Sequence, residues 1–256
     1  MKQCKSVSTP MEAGLQLLKS EAEKKLNKSY RELIGCLTYL MVTSRPDISA
    51  AVNYFSQFQS NPSEEHWVHA KRMLRYLRGT ADHGLVYERS SVPIRQVVGF
   101  ADSNWATDVN DRRSVSGILF KLYEATICWS TRKQSTVSLS STEAECSALA
   151  DAACEATWIQ KVLNELGLLE AKPSLVYEDN QSTIAIMKST GPSKRLKHTD
   201  VKIKYVSECV AKKKLEICYI STSEQQADLL TKGLSAIPFR KLCCNIGIFP
   251  QTQSNN

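Results

Sequence analysis

The stretch Val97-Val98-Gly99-Phe100-Ala101-Asp102-Ser103-Asn104-Trp105 decides how this chain is read. Its β-branched and aromatic residues predict a strand. The two-residue repeat then places Asp102 on the face shared by Val98 and Phe100. An aspartate on an apolar face needs a cation or donors against it, because burying an unpaired charge costs several kcal/mol. The simpler alternative is that Asp102, followed by Ser103 and Asn104, only starts a turn.

Downstream, Ser114 to Tyr123 and Thr126 to Arg132 read as two further strands of an antiparallel meander. A long helix is predicted from about Thr142 to Leu166. It is followed by a strand at Leu175 to Glu178, a helix from Gln181 to Lys188, a helix from Asp200 to about Lys212, a strand at Leu215 to Ile220 and a helix from Gln225 to Leu234. That order implies an α/β (mixed) fold, a five-stranded mixed sheet flanked by helices. Upstream, the composition around Ser90 to Pro93 is that of a linker. Before it lie three amphipathic helices: one opened by a Ser29-x-x-Glu32 capping box and stopped by Pro46, one from Asp47, and one capped by Ser63 with Trp67, Ala70, Leu74 and Leu77 as its apolar stripe. The expected organisation is a tail or linker over 1–28, a small all-α unit over 29–90, the sheet-bearing domain over 94–246 and a tail over 247–256.

The 256 residues hold no run of about 20 apolar residues such as a membrane span needs, so no membrane partner is expected. Residues 1–16 lack the apolar core of a secretory signal, and an intracellular setting is the expectation. Nine cysteines without a Cys-x-x-Cys pair suggest neither a disulfide framework nor a zinc site. The formal charge of +7 favours anionic partners. Lys194, Arg195, Lys197, Lys202, Lys204, Lys212, Lys213 and Lys214 crowd one segment, and Lys71, Arg75 and Arg78 share a face of the third helix. The segment reads equally as phosphate contacts or as solvated surface, whereas a ridge such as that on the third helix is more often plain solvated surface.

Three more acids compete for a functional role. Glu145 opens the stripe Glu145, Leu149, Ala152, Ala156, Ile159, Leu163, Leu166 that should pack on the sheet. Glu143 projects elsewhere and completes a Ser140-x-x-Glu143 capping box, although Thr142-x-x-Glu145 is a rival box. Asp179 shares a strand face with Leu175 and Tyr177 and ends a buried strand just before a helix, where α/β folds build sites; Asn180 and Ser182 offer helix capping instead. Asp228 sits among Ala227, Leu229 and Leu230 near a helix start, where the helix dipole alone would suit it. Four inward acids on one unit repel one another unless hard divalent cations such as magnesium sit among them. His66 and His69 read as surface groups without a third ligand, and Trp67, Trp129 and Trp158 as packing residues.

These acids lie in stretches that resemble a known family. Gly99-Phe100-Ala101-Asp102-Ser103, Ser140-Ser141-Thr142-Glu143-Ala144-Glu145, Asp179-Asn180-Gln181-Ser182 and Ala227-Asp228-Leu229-Leu230-Thr231-Lys232-Gly233 are similar, in this order, to the motifs of the RNase H of copia-type LTR retrotransposon Pol polyproteins. Upstream, Tyr30-Arg31-Glu32-Leu33-Ile34-Gly35, Thr43-Ser44-Arg45-Pro46-Asp47 and Ala70 to Leu77 resemble the end of the reverse transcriptase in the same polyproteins. Roughly residues 29 to 246 are covered.

The resemblance implies an RNase H-like domain in which Asp102, Glu145, Asp179 and Asp228 are catalytic and hold two Mg2+ ions, with Mn2+ as a substitute. It implies two-metal hydrolysis of the RNA strand of an RNA–DNA hybrid. Nucleic-acid contacts are expected from Lys71, Arg75, Arg78, Ser103, Asn180, Gln181, Lys194, Arg195, Lys197 and His198. The remainder of the Pol polyprotein is the expected protein partner, and cytoplasmic virus-like particles, with the nucleus beside them, the expected setting. Two departures stand out: Asn104 where many relatives have Asp, and Glu178 where many have Cys. The loop Ser221 to Gln226 also lacks the histidine that cellular RNases H carry there. No Tyr-x-Asp-Asp is present, so the chain reads as a C-terminal fragment or truncated copy that does not synthesise DNA. Two rival readings remain, a catalytically inactive nucleic-acid-binding remnant and a DNA strand-transfer enzyme on the same fold.

Overall fold

The computed structural model describes residues 4–20, 29–87, 96–168, 172–188 and 200–251. Three helices come first, α1 (Tyr30–Thr43), α2 (Ser49–Ser56) and α3 (Glu64–Gly79), then β1 (His83–Leu85). The meander follows as β2 (Val97–Asn104), β3 (Val115–Leu122) and β4 (Ala125–Lys133). Next come α4 (Ser141–Glu165), β5 (Ser174–Glu178), α5 (Gln181–Lys188), α6 (Asp200–Ala211) and β6 (Leu215–Tyr219). The chain closes with α7 (Asp228–Thr231), α8 (Ala236–Asn245) and β7 (Ile248–Pro250).

The main sheet has the order β4-β3-β2-β5-β6. β2, β3 and β4 are antiparallel, whereas β5 runs parallel to both β2 and β6. A mixed five-stranded sheet that opens with an antiparallel meander is what the sequence pattern predicts. Alternation along β2 sends Val97 and Ala101 into one core with α4, α5 and α6. Phe100, with Val98 packed alongside, faces a second core that holds α1, α2, α3, α7 and α8. The sheet is thus covered on both faces, and the N-terminal helices share a core with the strands. Gly99 lies opposite Phe120 on β3. A Cβ on Gly99 would sit 2.5 Å from the Phe120 ring, so the missing side chain is what lets that ring lie flat over β2.

Several local expectations need correction. Ser29 makes no side-chain cap bond. Ser63 does cap α3, accepting from the His66 amide in a capping box whose second member is the His66 ring. His66 is buried, not a surface group. Its Nδ1 accepts from the Ser63 amide at 2.8 Å, so its Nε2 carries the hydrogen and donates to the Leu18 carbonyl at 3.0 Å. The buried stripe of α3 is accordingly His66, Ala70, Met73 and Tyr76, with Trp67, Leu74 and Leu77 only half-buried beside it. Trp129 packs as expected, its indole donating to the Met41 carbonyl, but Trp158 is exposed, and so is Leu166 at the end of the α4 stripe. The expected helix over Gln225 to Leu234 is a single turn, α7, because the chain turns back to meet β2 and β3.

Residues 4–20 form no helix or strand, yet they are fastened along their length. Arg72 and Arg75 donate to the carbonyls of Thr9 and Lys5, and Arg78 to that of Cys4. The Asn110 side chain bonds the Lys19 amide and the Leu17 carbonyl. This strap therefore joins α3 to the β2–β3 connection. A buried network adds a second joint: Arg45 grips both oxygens of Asp47 at 2.9 and 2.7 Å, and Tyr76 donates to Asp47 at 2.5 Å. The Tyr76 ring meets Phe239 of α8 edge-on. At the C terminus, β7 pairs antiparallel with β1. Among the described residues no helix is long and apolar enough to cross a membrane.

Candidate active site

Asp102 ends the inward face of β2, fully buried, and pairs across the sheet with Gly117 of β3. A Cβ at Gly117 would fall 2.6 Å from Thr231 Cγ2 and 3.0 Å from Leu230 Cβ. The bare backbone of Gly117 is what admits α7 to this position. Four bonds then fix α7 and its approach. Gln225 donates to the Ala101 carbonyl, Asn104 to the Thr231 carbonyl, Thr131 to the Leu230 carbonyl, and the Thr231 hydroxyl to Asp102 Oδ2. Asn104 acts through its amide nitrogen, a donor that aspartate lacks.

From the other side, α4 brings Glu145. Its start is set by Ser140, which accepts from the Glu143 amide at 3.2 Å, while Glu143 Oε2 accepts from the Leu139 amide at 2.7 Å. Glu143 is thereby engaged at the helix start, and Glu145 turns inward to 6% exposure. Asp179, just past β5, is half-buried and accepts from the Thr222 hydroxyl at 2.7 Å. Oxygens of Asp102, Glu145 and Asp179 lie within 4.8 Å of one another. Asp228 is buried too, but its Oδ1 accepts from Lys232 Nζ at 2.6 Å, and the same ammonium lies 3.0 Å from Asp102 Oδ1.

The electrostatics follow from burial. Desolvation, then the charges of Asp102, Glu178 and Asp179, push the Glu145 carboxyl up to about 11, with Lys232 opposing. Desolvation and Asp102 push Asp228 up to about 7 against the relief from Lys232. Glu178, on the opposite face of β5, is fully buried and driven well above the usual carboxylate range by burial, although the Asn180 amide donates to its Oε1. Glu145 Oε2 and Glu178 Oε2 are buried without a hydrogen-bond partner. An all-oxygen donor set, mutual repulsion and an unpartnered inward oxygen on Glu145 are what a hard divalent cation would satisfy, so these residues fit magnesium.

The expected nucleic-acid contacts divide. The Ser103 hydroxyl is buried without a partner beside Asp102. Asn180 caps α5 by accepting from the Thr183 amide, and Gln181 is exposed at its first turn. Lys71 stands 6.0 Å over the Trp67 ring, whereas Arg75 and Arg78 bond the strap. Lys194, Arg195, Lys197 and His198 lie outside the described residues. Sequence reasoning gave no role to Gly117, Gln225, Thr231 or Lys232. Of these only Lys232 left a signal, its spacing one helical turn after Asp228.

A five-stranded mixed sheet with acids gathered at the carboxyl ends of two parallel strands and on a packed helix makes this an RNase H-like domain. No family model matches the chain. It is 40% identical over 250 residues to the retrovirus-related Pol polyprotein from transposon TNT 1-94 of Nicotiana tabacum, covering 95% of this chain and 18% of that protein. To the corresponding polyprotein from transposon RE2 of Arabidopsis thaliana it is 36% identical over 245 residues, covering 95% and 17%. A stretch of 133 residues is 47% identical to the secreted RxLR effector protein 161 of Plasmopara viticola, covering 52% of this chain and 92% of that protein. Among solved structures, LC11-RNase H1 isolated from compost aligns at 17% identity and a TM-score of 0.43, covering 54% of this chain and 94% of that one. Over 95% of its length the chain is similar to these retrovirus-related Pol polyproteins of plant transposons, and it spans under a fifth of the length of the two.

Proposed function

We propose that this chain is a ribonuclease H that hydrolyses the RNA strand of RNA–DNA hybrids as part of a retrotransposon Pol polyprotein. The observation that carries the reading is the convergence of Asp102, Glu145 and Asp179 from three separate elements to within 4.8 Å. The likeness to plant transposon Pol polyproteins supports the setting. Two magnesium ions would be held by Asp102, Glu145, Asp179 and Asp228; when bound they supply charge stabilisation at the scissile phosphate and a more acidic water. The chain's own residues do the rest. Thr231 and the bonds from Gln225 and Asn104 orient Asp102 and α7, and Glu145 keeps one oxygen free of protein donors.

Ser103, Asn180 and Gln181 flank the acids and would read sugar and phosphate, the 2′-hydroxyl distinguishing RNA from DNA. Lys71, with the basic residues over 194–214, would hold the backbone without choosing sequence. Arg75 and Arg78 would contribute only where the strap releases them. The test is a labelled hybrid incubated with Mg2+ or with EDTA. Cleavage of the RNA strand alone, abolished by EDTA and by Asp102→Asn with hybrid affinity retained, is the expected result. Binding without cleavage would favour an inactive binding remnant, and action on duplex DNA ends a strand-transfer enzyme.

A further inference from the structure

Lys232 follows Asp228 by one helical turn, the spacing at which an ammonium meets a carboxylate. Here it meets two. Its Nζ lies 2.6 Å from Asp228 Oδ1 and 3.0 Å from Asp102 Oδ1. The other oxygen of Asp102 accepts from Thr231. Both oxygens of Asp102 and one of Asp228 are thus taken by this chain's own donors, whereas Glu145 keeps Oε2 unpartnered; the oxygens of Asp102, Glu145 and Asp179 lie within 4.8 Å of one another. Lys232 is not locked in place by packing. Its side chain is 28% exposed and adjoins a cavity of about 330 Å³ between the strap, α2 and the β2–β3 connection, with Glu12 and Asp108 in the wall.

We propose that Lys232 is the resident cation of the Asp102–Asp228 half of the site, a positioning residue that holds these two carboxylates together and must leave them before a second divalent ion binds there. The inference rests on the nuclease reading above. A lysine ammonium is a compact point charge on a flexible stem, suited both to bridging two carboxylates and to leaving them. The cavity offers the displaced side chain room, its two acids being already paired, Glu12 with Arg72 and Asp108 with Lys133. Two ions then bind unequally: the first meets Glu145 and Asp179, which touch no ammonium among the described residues, and the second must displace a charge already present.

Calorimetric titration of the full chain with Mg2+ tests this without reference to catalysis. The wild type should show one tighter and one weaker event, both changed in Glu145→Gln. In Lys232→Gln the weaker event should tighten by about tenfold or more, since a unit charge within contact distance is removed, and Lys232→Arg should keep the wild-type pattern. A second measurement uses the wild type alone: amine-reactive labelling of Lys232, read by mass spectrometry, should rise severalfold on adding Mg2+. Metal binding that responds to Glu145→Gln but not to Lys232→Gln, with labelling unchanged by Mg2+, overturns this inference and leaves the nuclease reading standing. The expected titrations without hybrid cleavage would do the reverse, and no Mg2+ binding by the wild type would overturn both.

Discussion

Replacing Glu145 by glutamine should make the metal-free chain more stable, which is the opposite of what removing a buried polar contact usually does. Glu145 is buried, and its carboxyl is raised from 4.5 to about 11, first by desolvation and then by Asp102, Glu178 and Asp179. A carboxyl whose folded value is raised contributes stability that is complete below about pH 4.5 and is lost as pH climbs toward the folded value. Between 4.5 and 7 the loss accumulates at about 1.4 kcal/mol per pH unit, hence about 3 kcal/mol at pH 7. Glutamine has nearly the same shape and never ionises. At roughly 2–4 °C per kcal/mol for a chain of this size, Glu145→Gln should melt roughly 6–12 °C higher in EDTA at pH 7. Melting curves recorded from pH 5 to 8 provide the check, because the gap should nearly close at pH 5 and widen with each unit. Mg2+ should narrow the gap by binding only the wild type. A difference that stays flat with pH, or a wild type that melts higher in EDTA, would refute the argument from buried charge.

Three further outcomes are expected. Asp47→Asn leaves Arg45 buried with half its partner, and breaking such a pair costs about 3–5 kcal/mol; an unchanged urea midpoint would count against the joint between α3 and α8. Gly117→Val drives a side chain into Thr231 and Leu230, so α7 should shift and Mg2+ affinity fall by about tenfold or more while far-ultraviolet circular dichroism stays native; an unaltered Mg2+ titration would show that α7 does not position the site. His66 is held neutral, its value lowered from 6.5 chiefly by burial. Protonating Nδ1 takes away the acceptor of the Ser63 amide while Nε2 still donates to Leu18, so the capping box of α3 is complete above about pH 6.5 and is lost as pH falls. The melting temperature should therefore fall between pH 7.5 and 5, and His66→Gln should flatten that part of the pH dependence.

What could be read from the sequence, and what could not, divides along one physical line. Strands β2 to β4, helix α4 and the inward turn of Glu145 follow from periodicity and capping, which are local properties. The choice of Glu145 over Glu143 was legible because one residue continues an apolar stripe and the other completes a helix start. The stripe of α3 falls one position earlier than its apolar spacing suggests, because its companions Leu18 and Phe58 lie outside the helix and make a histidine the inward residue. The strap left no periodic trace, since its bonds run from its backbone to side chains that lie tens of residues away, on Tyr54, Arg72 and Asn110.

The fourth acid shows why that line matters for chemistry. Asp228 reaches the site on a single helical turn, and nothing in the sequence around it specifies a position relative to Asp102, 126 residues earlier. The position is set by what other segments omit or donate. Gly117 omits a side chain, Gln225 and Asn104 donate from their amides, and Thr231 and Lys232 bring donors to Asp102 itself. Gly117 sits across the sheet and Asn104 at the end of β2, and the other three sit within four residues of Asp228. A change at any of them can move Asp228 while leaving every acid in place. An inventory of carboxylates alone therefore cannot tell a working centre from a misplaced one; the residues that admit and hold α7 decide it.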